Sequence, residues 1–282
     1  MTVWGHIPYG GAMIPPPRDV SATLEVYVSA PTELEMQIAV AKLPGLTVTE
    51  ELAVTVDGRS LWPEEIVGEH GSRIHRLRVE SGLVVIDYSA HIETPAYPIP
   101  VLTTDHSIYL RPSRYAECDK FFGFVAGQFD IDESPGVLIA QVADFVAQRL
   151  SYIPGASDPI DGAADTLLAG AGVCRDYAHL AVALLRALNI PARLVAVYAP
   201  GCDPMDFHAV AEAIIDGEWV AIDATGLAPR QTLVRISTGR DAADTAFLDN
   251  HRGLINLNYY KVTAFVDGDL PIDTGAERIR LG

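Results

Sequence analysis

From Ala22 the chain alternates apolar and polar residues, Ala22-Thr-Leu-Glu-Val-Tyr-Val28. That period of two puts every second side chain on one face of a β-strand. Leu52-Ala-Val-Thr-Val-Asp-Gly58 repeats the pattern and ends in a turn signal, and Ile74-His-Arg-Leu-Arg-Val79 and Leu83-Val-Val-Ile-Asp-Tyr88 follow. Residues up to about Glu93 therefore predict an all-β region. A proline-rich stretch, Pro95-Ala-Tyr-Pro-Ile-Pro100, interrupts it, and beyond Tyr109-Leu-Arg-Pro-Ser-Arg-Tyr115 the periodicity becomes helical. The expected division is an N-terminal β-rich domain over residues 1–112 and a second domain over 113–282.

In the second half, Asp132 or Ser134 can cap a helix with Pro135 in its first turn and an apolar stripe of Leu138, Val142, Phe145 and Val146. Asp130-Ile-Asp-Glu-Ser-Pro-Gly136 faintly suggests a calcium loop, but Pro135 stands where that loop requires glycine, which favours capping. A second helix is predicted from about Val173 to Leu188, with leucines at 180, 184 and 188 and an Asn-Ile-Pro stop. Ala192–Tyr198 follows as a strand. After the turn-rich loop Ala199–Asp206, the segment His208–Asp223 predicts a hairpin turning at Asp216-Gly217.

Composition narrows the function. The 282 residues are 49% hydrophobic and 20% charged, ordinary for a globular chain with a sizeable core. A formal charge of -17 with no Lys/Arg run argues against nucleic acid as a partner. No basic leader precedes an apolar segment and no window reaches the roughly 18 apolar residues of a membrane span. The expectation is a soluble, cytoplasmic protein with no membrane partner. Cys118, Cys174 and Cys202 are odd in number and widely spaced, which leaves at least one free thiol. His70, His75, His91 and His106 lack ligand spacing, so neither a metal nor another cofactor is expected.

Cys174 sits where Gly172-Val-Cys-Arg-Asp-Tyr-Ala-His179 turns from a glycine-containing loop into a helix. The unpaired amides and dipole at a helix start favour an anion, so a thiol there is biased toward the nucleophilic thiolate, and the same amides can hold an oxyanion. A buried structural cysteine is nonetheless the commoner fate of this residue type. A base is supplied by the hairpin. Symmetric pairing about Asp216-Gly217 makes facing positions sum to 433, which sets His208 opposite Thr225 and diagonal to Asp223, on one face. Their Cβ atoms then lie within about 7 Å, close enough for Asp223 to orient His208. A thiol at a helix start, a strand, a loop and a same-face His and Asp follow the nucleophile, base and orienter logic in chain order.

Gly172-Val-Cys-Arg-Asp-Tyr-Ala-His-Leu180, then Leu-Arg-Ala-Leu-Asn-Ile-Pro-Ala-Arg-Leu-Val195, Asp206-Phe-His-Ala209 and Trp219-Val-Ala-Ile-Asp-Ala-Thr-Gly226 closely resemble the transglutaminase-like superfamily, in its bacterial branch with an N-terminal β region. The motifs cover about residues 148–226. The resemblance implies an α+β fold with a papain-like cysteine-protease core, Cys174 as nucleophile, His208 as base and Asp223 as orienter. Val210 and Ala224 depart from the tryptophan and proline usual in the family. Tyr152 lies where relatives carry an aromatic residue, so its hydroxyl is a candidate for lining the site or binding an oxyanion, with core packing as the alternative. Asp176 is expected as a first-turn carboxylate near the thiol, and Phe207 as a possible lining residue. His179 and Cys202 are expected in structural roles.

The activity implied is cysteine-dependent acyl transfer or hydrolysis on a peptide or protein amide through an acyl-thioester, with peptidase, isopeptidase or amidase chemistry favoured. Glutamine transglutaminase or deamidase activity is an alternative. A catalytically idle binding module of the same fold is another, and acyl transfer to a small amine a third, though the arginine that precedes the active-site helix in arylamine acetyltransferases has no clear counterpart.

Overall fold

A computed structural model describes residues 15–281; the first fourteen residues of the expected β-rich domain lie outside them. The N-terminal strands are β1 (Arg18–Ala30), β2 (Thr32–Met36), β3 (Thr47–Val56), β4 (Arg59–Leu61), β5 (Glu64–Val67), β6 (Arg73–Val79) and β7 (Gly82–Thr94). Alternation decides their burial. In β1, Val20, Ala22, Leu24, Val26 and Val28 are buried, and β7 buries Val84, Ile86, Tyr88, Ala90 and Ile92 against the same core. The two strands pair antiparallel without a break, from Arg18 opposite Ile92 to Val28 opposite Gly82. An odd shift in that register would turn every buried side chain outward.

After β7 the chain forms α1 (Asp105–Ile108), α2 (Phe122–Gln128), α3 (Pro135–Arg149), β8 (Ser151–Tyr152), α4 (Ala163–Ala169), β9 (Ala171–Gly172) and α5 (Cys174–Ala187). Then come β10 (Ala192–Tyr198), β11 (Phe207–Ile215), β12 (Glu218–Ile222), β13 (Val234–Gly239), β14 (Leu248–His251) and β15 (Leu254–Val266). Ser134 occupies the cap position of α3, ahead of Pro135, without a side-chain capping hydrogen bond. Among the described residues no cluster of side chains could hold a metal ion, and no helix is long and apolar enough to cross a membrane.

The antiparallel sheet β12-β11-β10-β13 is covered by α5, which also touches α3 and α4. All residues of α5 except Arg175 and Ala187 are buried. It is a central helix, wider in its apolar contact than a leucine stripe alone would make it. Its one deep cation, Arg186, donates to the carbonyls of Ala192, Arg111 and Arg240 and to the Ser113 hydroxyl at 2.7–3.0 Å.

The division at residue 112 requires correction. Strand β15 pairs with β1 along its length, with Thr263 opposite Ser21, and β14 pairs with β2, so the sheets are β15-β1-β7-β3-β4 and β14-β2-β6-β5. Residues 248–266 thus complete the N-terminal sandwich, although they were expected in the second domain. Residues 99–109 do the opposite: Pro100 bridges Glu218, and Tyr109 packs edge-on against Trp219 at 5.4 Å. One hydrophobic cluster also crosses that boundary. Tyr198, Val234 and Ile236 of the second sheet join the sandwich core, and the Tyr198 hydroxyl donates to the Ile38 carbonyl at 2.7 Å.

Candidate active site

The site begins at the first residue of α5. Gly172 and Val173 deliver the chain to the helix with a tight approach: a Cβ on Gly172 would stand 2.7 Å from the Asp176 Cβ. Only glycine leaves room for Asp176 to fold back, and its Oδ2 accepts from the Val173 amide at 2.8 Å. Oδ1 accepts from the Ser157 hydroxyl at 2.9 Å, and Ser157 in turn accepts from Arg175 at 2.6 Å. Asp176 is thus a buried clamp on the helix start that carries the thiol.

Cys174 is 9% exposed, and its sulfur lies 3.8 Å from the Phe207 carbonyl. The second element is the β11–β12 hairpin, whose pairs Ile215–Glu218, Ile214–Trp219, Ala213–Val220 and Ala211–Ile222 follow the register expected for a turn at Asp216-Gly217. The ladder stops at Ile222, so Thr225 does not pair across from His208. It turns back instead, donating to Asp223 Oδ1 from its amide at 2.9 Å and its hydroxyl at 2.7 Å.

His208 Nε2 and Asp223 Oδ2 are 2.8 Å apart, and both side chains are buried. Burial alone would raise the Asp223 pKa, but the charge of His208 and the hydrogen bonds from His208 and Thr225 prevail and hold it below the usual carboxylate range. A carboxylate only accepts, so Nε2–H is the donor. Burial likewise disfavours a charged imidazole, yet the Asp223 charge, its hydrogen bond and the Cys174 thiol outweigh it and raise His208 well above its ordinary value. Nδ1 has no nitrogen or oxygen partner, which leaves it as the ring nitrogen available to the thiol.

Tyr152 stands at the mouth with 37% of its surface exposed. Burial together with the nearby Cys174 and Cys202 raises the pKa of its hydroxyl, keeping it a phenol that can donate. Phe207 meets the thiol through its carbonyl; its ring turns away, stacking on Phe247 at 4.8 Å and against Tyr198 at 5.9 Å. His179 accepts the Ala242 amide through Nε2 and stacks on Tyr115, a structural placement. Cys118 and Cys202 are buried free thiols. Val210 is buried in the cluster beside Cys202, and Ala224 packs against the core under α5. Two neighbours escaped sequence reasoning. The Tyr260 hydroxyl, on β15, donates to Asp206 Oδ2 at 3.1 Å, and Thr225 steadies Asp223. A turn motif two residues past Asp223 is a local signal for Thr225; Tyr260 has none.

A helix bearing a thiol at its first residue, packed on an antiparallel sheet that carries a His–Asp pair, is the arrangement of a papain-like α+β core. Residues 126–224 match the model of the transglutaminase-like superfamily. A candidate cysteine protease from Cytophaga hutchinsonii, known from its crystal structure, superposes with a TM-score of 0.81 at 32% identity, over 92% of this chain and 93% of that one. The chain belongs to the transglutaminase-like superfamily. Among curated sequences, an uncharacterized protein of Mycobacterium leprae is 27% identical over 49% of this chain and 52% of its own length. One of Mycobacterium bovis is 32% identical over 43% of this chain and 42% of its own. The chain therefore matches about half the length of these curated relatives.

Proposed function

We propose that this protein hydrolyses an amide, of the peptide or isopeptide kind, through a Cys174 acyl-thioester. The observation that carries the reading is the polarised imidazole: Nε2–H is committed to Asp223 at 2.8 Å while Nδ1 is left to the thiol. In the first step the Cys174 proton passes to His208 Nδ1 and the sulfur attacks the carbonyl carbon. The resulting oxyanion is met by the Cys174 amide at the start of α5, with the Tyr152 hydroxyl beside it as the second donor. Collapse breaks the C–N bond, and the departing amine takes the proton from Nδ1. His208 then removes a proton from water, which attacks the thioester, releasing the acid and restoring the thiol. Asp223 stabilises the imidazolium throughout and keeps the ring oriented.

The test is a pool of peptides and isopeptides, with and without an added primary amine, read by mass spectrometry. Hydrolysis products that vanish with Cys174→Ala are expected. Cross-linking to the amine would assign a transglutaminase instead. No Cys174-dependent product of any kind, together with iodoacetamide labelling of Cys174 no faster than that of Cys118 and Cys202, would overturn the reading.

A further inference from the structure

Resting on that reading, we infer that Asp206, steadied by Tyr260 from the β sandwich, is a specificity-determining carboxylate that selects amide substrates with a protonated amine beside the scissile bond. Asp206 immediately precedes Phe207, the residue whose carbonyl the Cys174 sulfur meets at 3.8 Å, and lies two residues before His208. It is half-buried at the rim of the site.

Its hydrogen bonding is that of a carboxylate. Oδ1 accepts from the Phe207 amide at 2.7 Å and Oδ2 from the Tyr260 hydroxyl at 3.1 Å. Each oxygen retains acceptor capacity, since a carboxylate offers about four lone-pair sites. What it lacks is a counter-ion. Two other half-buried carboxylates are matched to an arginine, Asp244 to Arg240 at 2.9 Å and Asp273 to Arg230 at 2.8 Å. Among the described residues no lysine or arginine pairs with Asp206, and His208 is the charged group that stabilises it. Burial accordingly pushes its carboxyl up. An unmatched charge of this kind is costly in isolation and is relieved when a cation arrives. Apart from His208, the neighbouring aromatic side chains add no cation: Tyr152 and Tyr260 are phenols, and Phe207, Phe247 and Tyr260 form an aromatic run leading from β11 to β15.

This also gives the C-terminal return of the chain a purpose. Tyr260 faces Leu24 across the β1–β15 ladder, so the sandwich reaches the rim of the site through one hydroxyl.

The test separates this inference from the activity itself by using Cys174 labelling in place of turnover. Rates of mixed-disulfide formation at Cys174 are measured with cationic 2-aminoethyl methanethiosulfonate and neutral methyl methanethiosulfonate, with the modified residue located by mass spectrometry. Asp206→Asn is expected to lower the cationic-to-neutral ratio about fivefold, the factor of one partly exposed charge pair. Glu80→Gln, which removes the same charge in the turn between β6 and β7, is expected to leave the ratio as in the wild type. Asp206→Glu is expected to restore much of it. A merely structural Asp206 would move both reagents together and leave the ratio fixed, and that result, or an equal drop in Glu80→Gln, would overturn the inference. Asp206→Ser replaces the asparagine variant if the latter does not unfold cooperatively. The proposed hydrolysis fails on a different observation, the lack of Cys174-dependent products from the peptide pool.

Discussion

Strand β11 carries two buried charged sites four residues apart, and they are built to opposite ends. At Glu212 both carboxylate oxygens are bound by guanidinium groups. Arg193 donates to Oε2 at 2.8 Å, and Arg235 donates to Oε2 at 3.2 Å and to Oε1 at 2.5 Å. Arg193 also lies 3.7 Å over the Trp219 ring, and Arg235 is anchored to Thr238 and the Leu281 carbonyl. Despite full burial the two guanidinium charges hold Glu212 down to about 2. At His208 the pairing stops halfway. One ring nitrogen is bound to Asp223 and the other is left open beside a thiol. A filled cluster pins β10, β11 and β13 together, while a half-filled one retains a proton site that chemistry can use.

Breaking the open pair is expected to act on activity. Asp223→Asn should lower Cys174-dependent amide turnover by about 10²- to 10⁴-fold, the range of a positioned acid–base group, with a much smaller change in the denaturant midpoint. If turnover fell by less than about tenfold, Asp223 would not be orienting the base. Breaking the filled cluster is expected to act on stability. Glu212→Ala leaves two buried guanidinium groups without a counter-charge and should cost about 3–5 kcal/mol in urea unfolding. A loss below about 1 kcal/mol would show that the cluster is not what holds the strands in register.

The helix start lies between these extremes. Asp176→Ala removes the acceptor of the Val173 amide and of the Ser157 hydroxyl and should cost about 1–2 kcal/mol. Because that amide precedes the thiol by one residue, neutral alkylation of Cys174 should change as well. Alkylation at the wild-type rate would mean that the clamp holds the helix without shaping the thiol's surroundings.

Local periodicity made much of this legible. The strand bounds at Ala192 and Tyr198, the helix from Cys174 and the hairpin register all follow from neighbouring residues, because hydrogen bonds within a helix or across a two-residue turn have local partners. The last strands were not legible for the opposite reason. Leu254–Val266 closes on β1 across more than 200 residues, as the Ser21–Thr263 hydroxyl contact at 2.7 Å with a separation of 242 shows, and no pattern within a strand names its partner. The site divides the same way. His208 and Asp223 could be set on one face from the hairpin, and Thr225 lay within reach of a turn motif. Tyr260 could not be placed near Asp206, 54 residues away, without knowing that β15 returns to the sandwich.

The subtlest test uses protons, because His208 and Glu212 should leave slopes of opposite sign on the stability curve. His208 is raised above its ordinary 6.5 in the folded protein, so its contribution is complete below 6.5 and is lost as pH rises through the folded value. Asp223 and Glu212 are depressed, so theirs are present above the ordinary 3.8 and 4.5 and are lost as pH falls, for Glu212 down to about 2. In a Cys174→Ala background, which removes the thiol's own titration, stability should therefore decline on the alkaline side of 6.5. One extra folded-state proton limits that slope to about 1.4 kcal/mol per pH unit. Asp223→Asn should abolish the decline, since the charge that raises His208 is gone. Glu212→Gln should leave the alkaline decline in place and flatten the acid limb between 4.5 and about 2. Unfolding midpoints across this range measure both limbs. An alkaline decline that survived Asp223→Asn would mean that the open pair owes its proton to some other group, and the contrast between the two sites on β11 would fail.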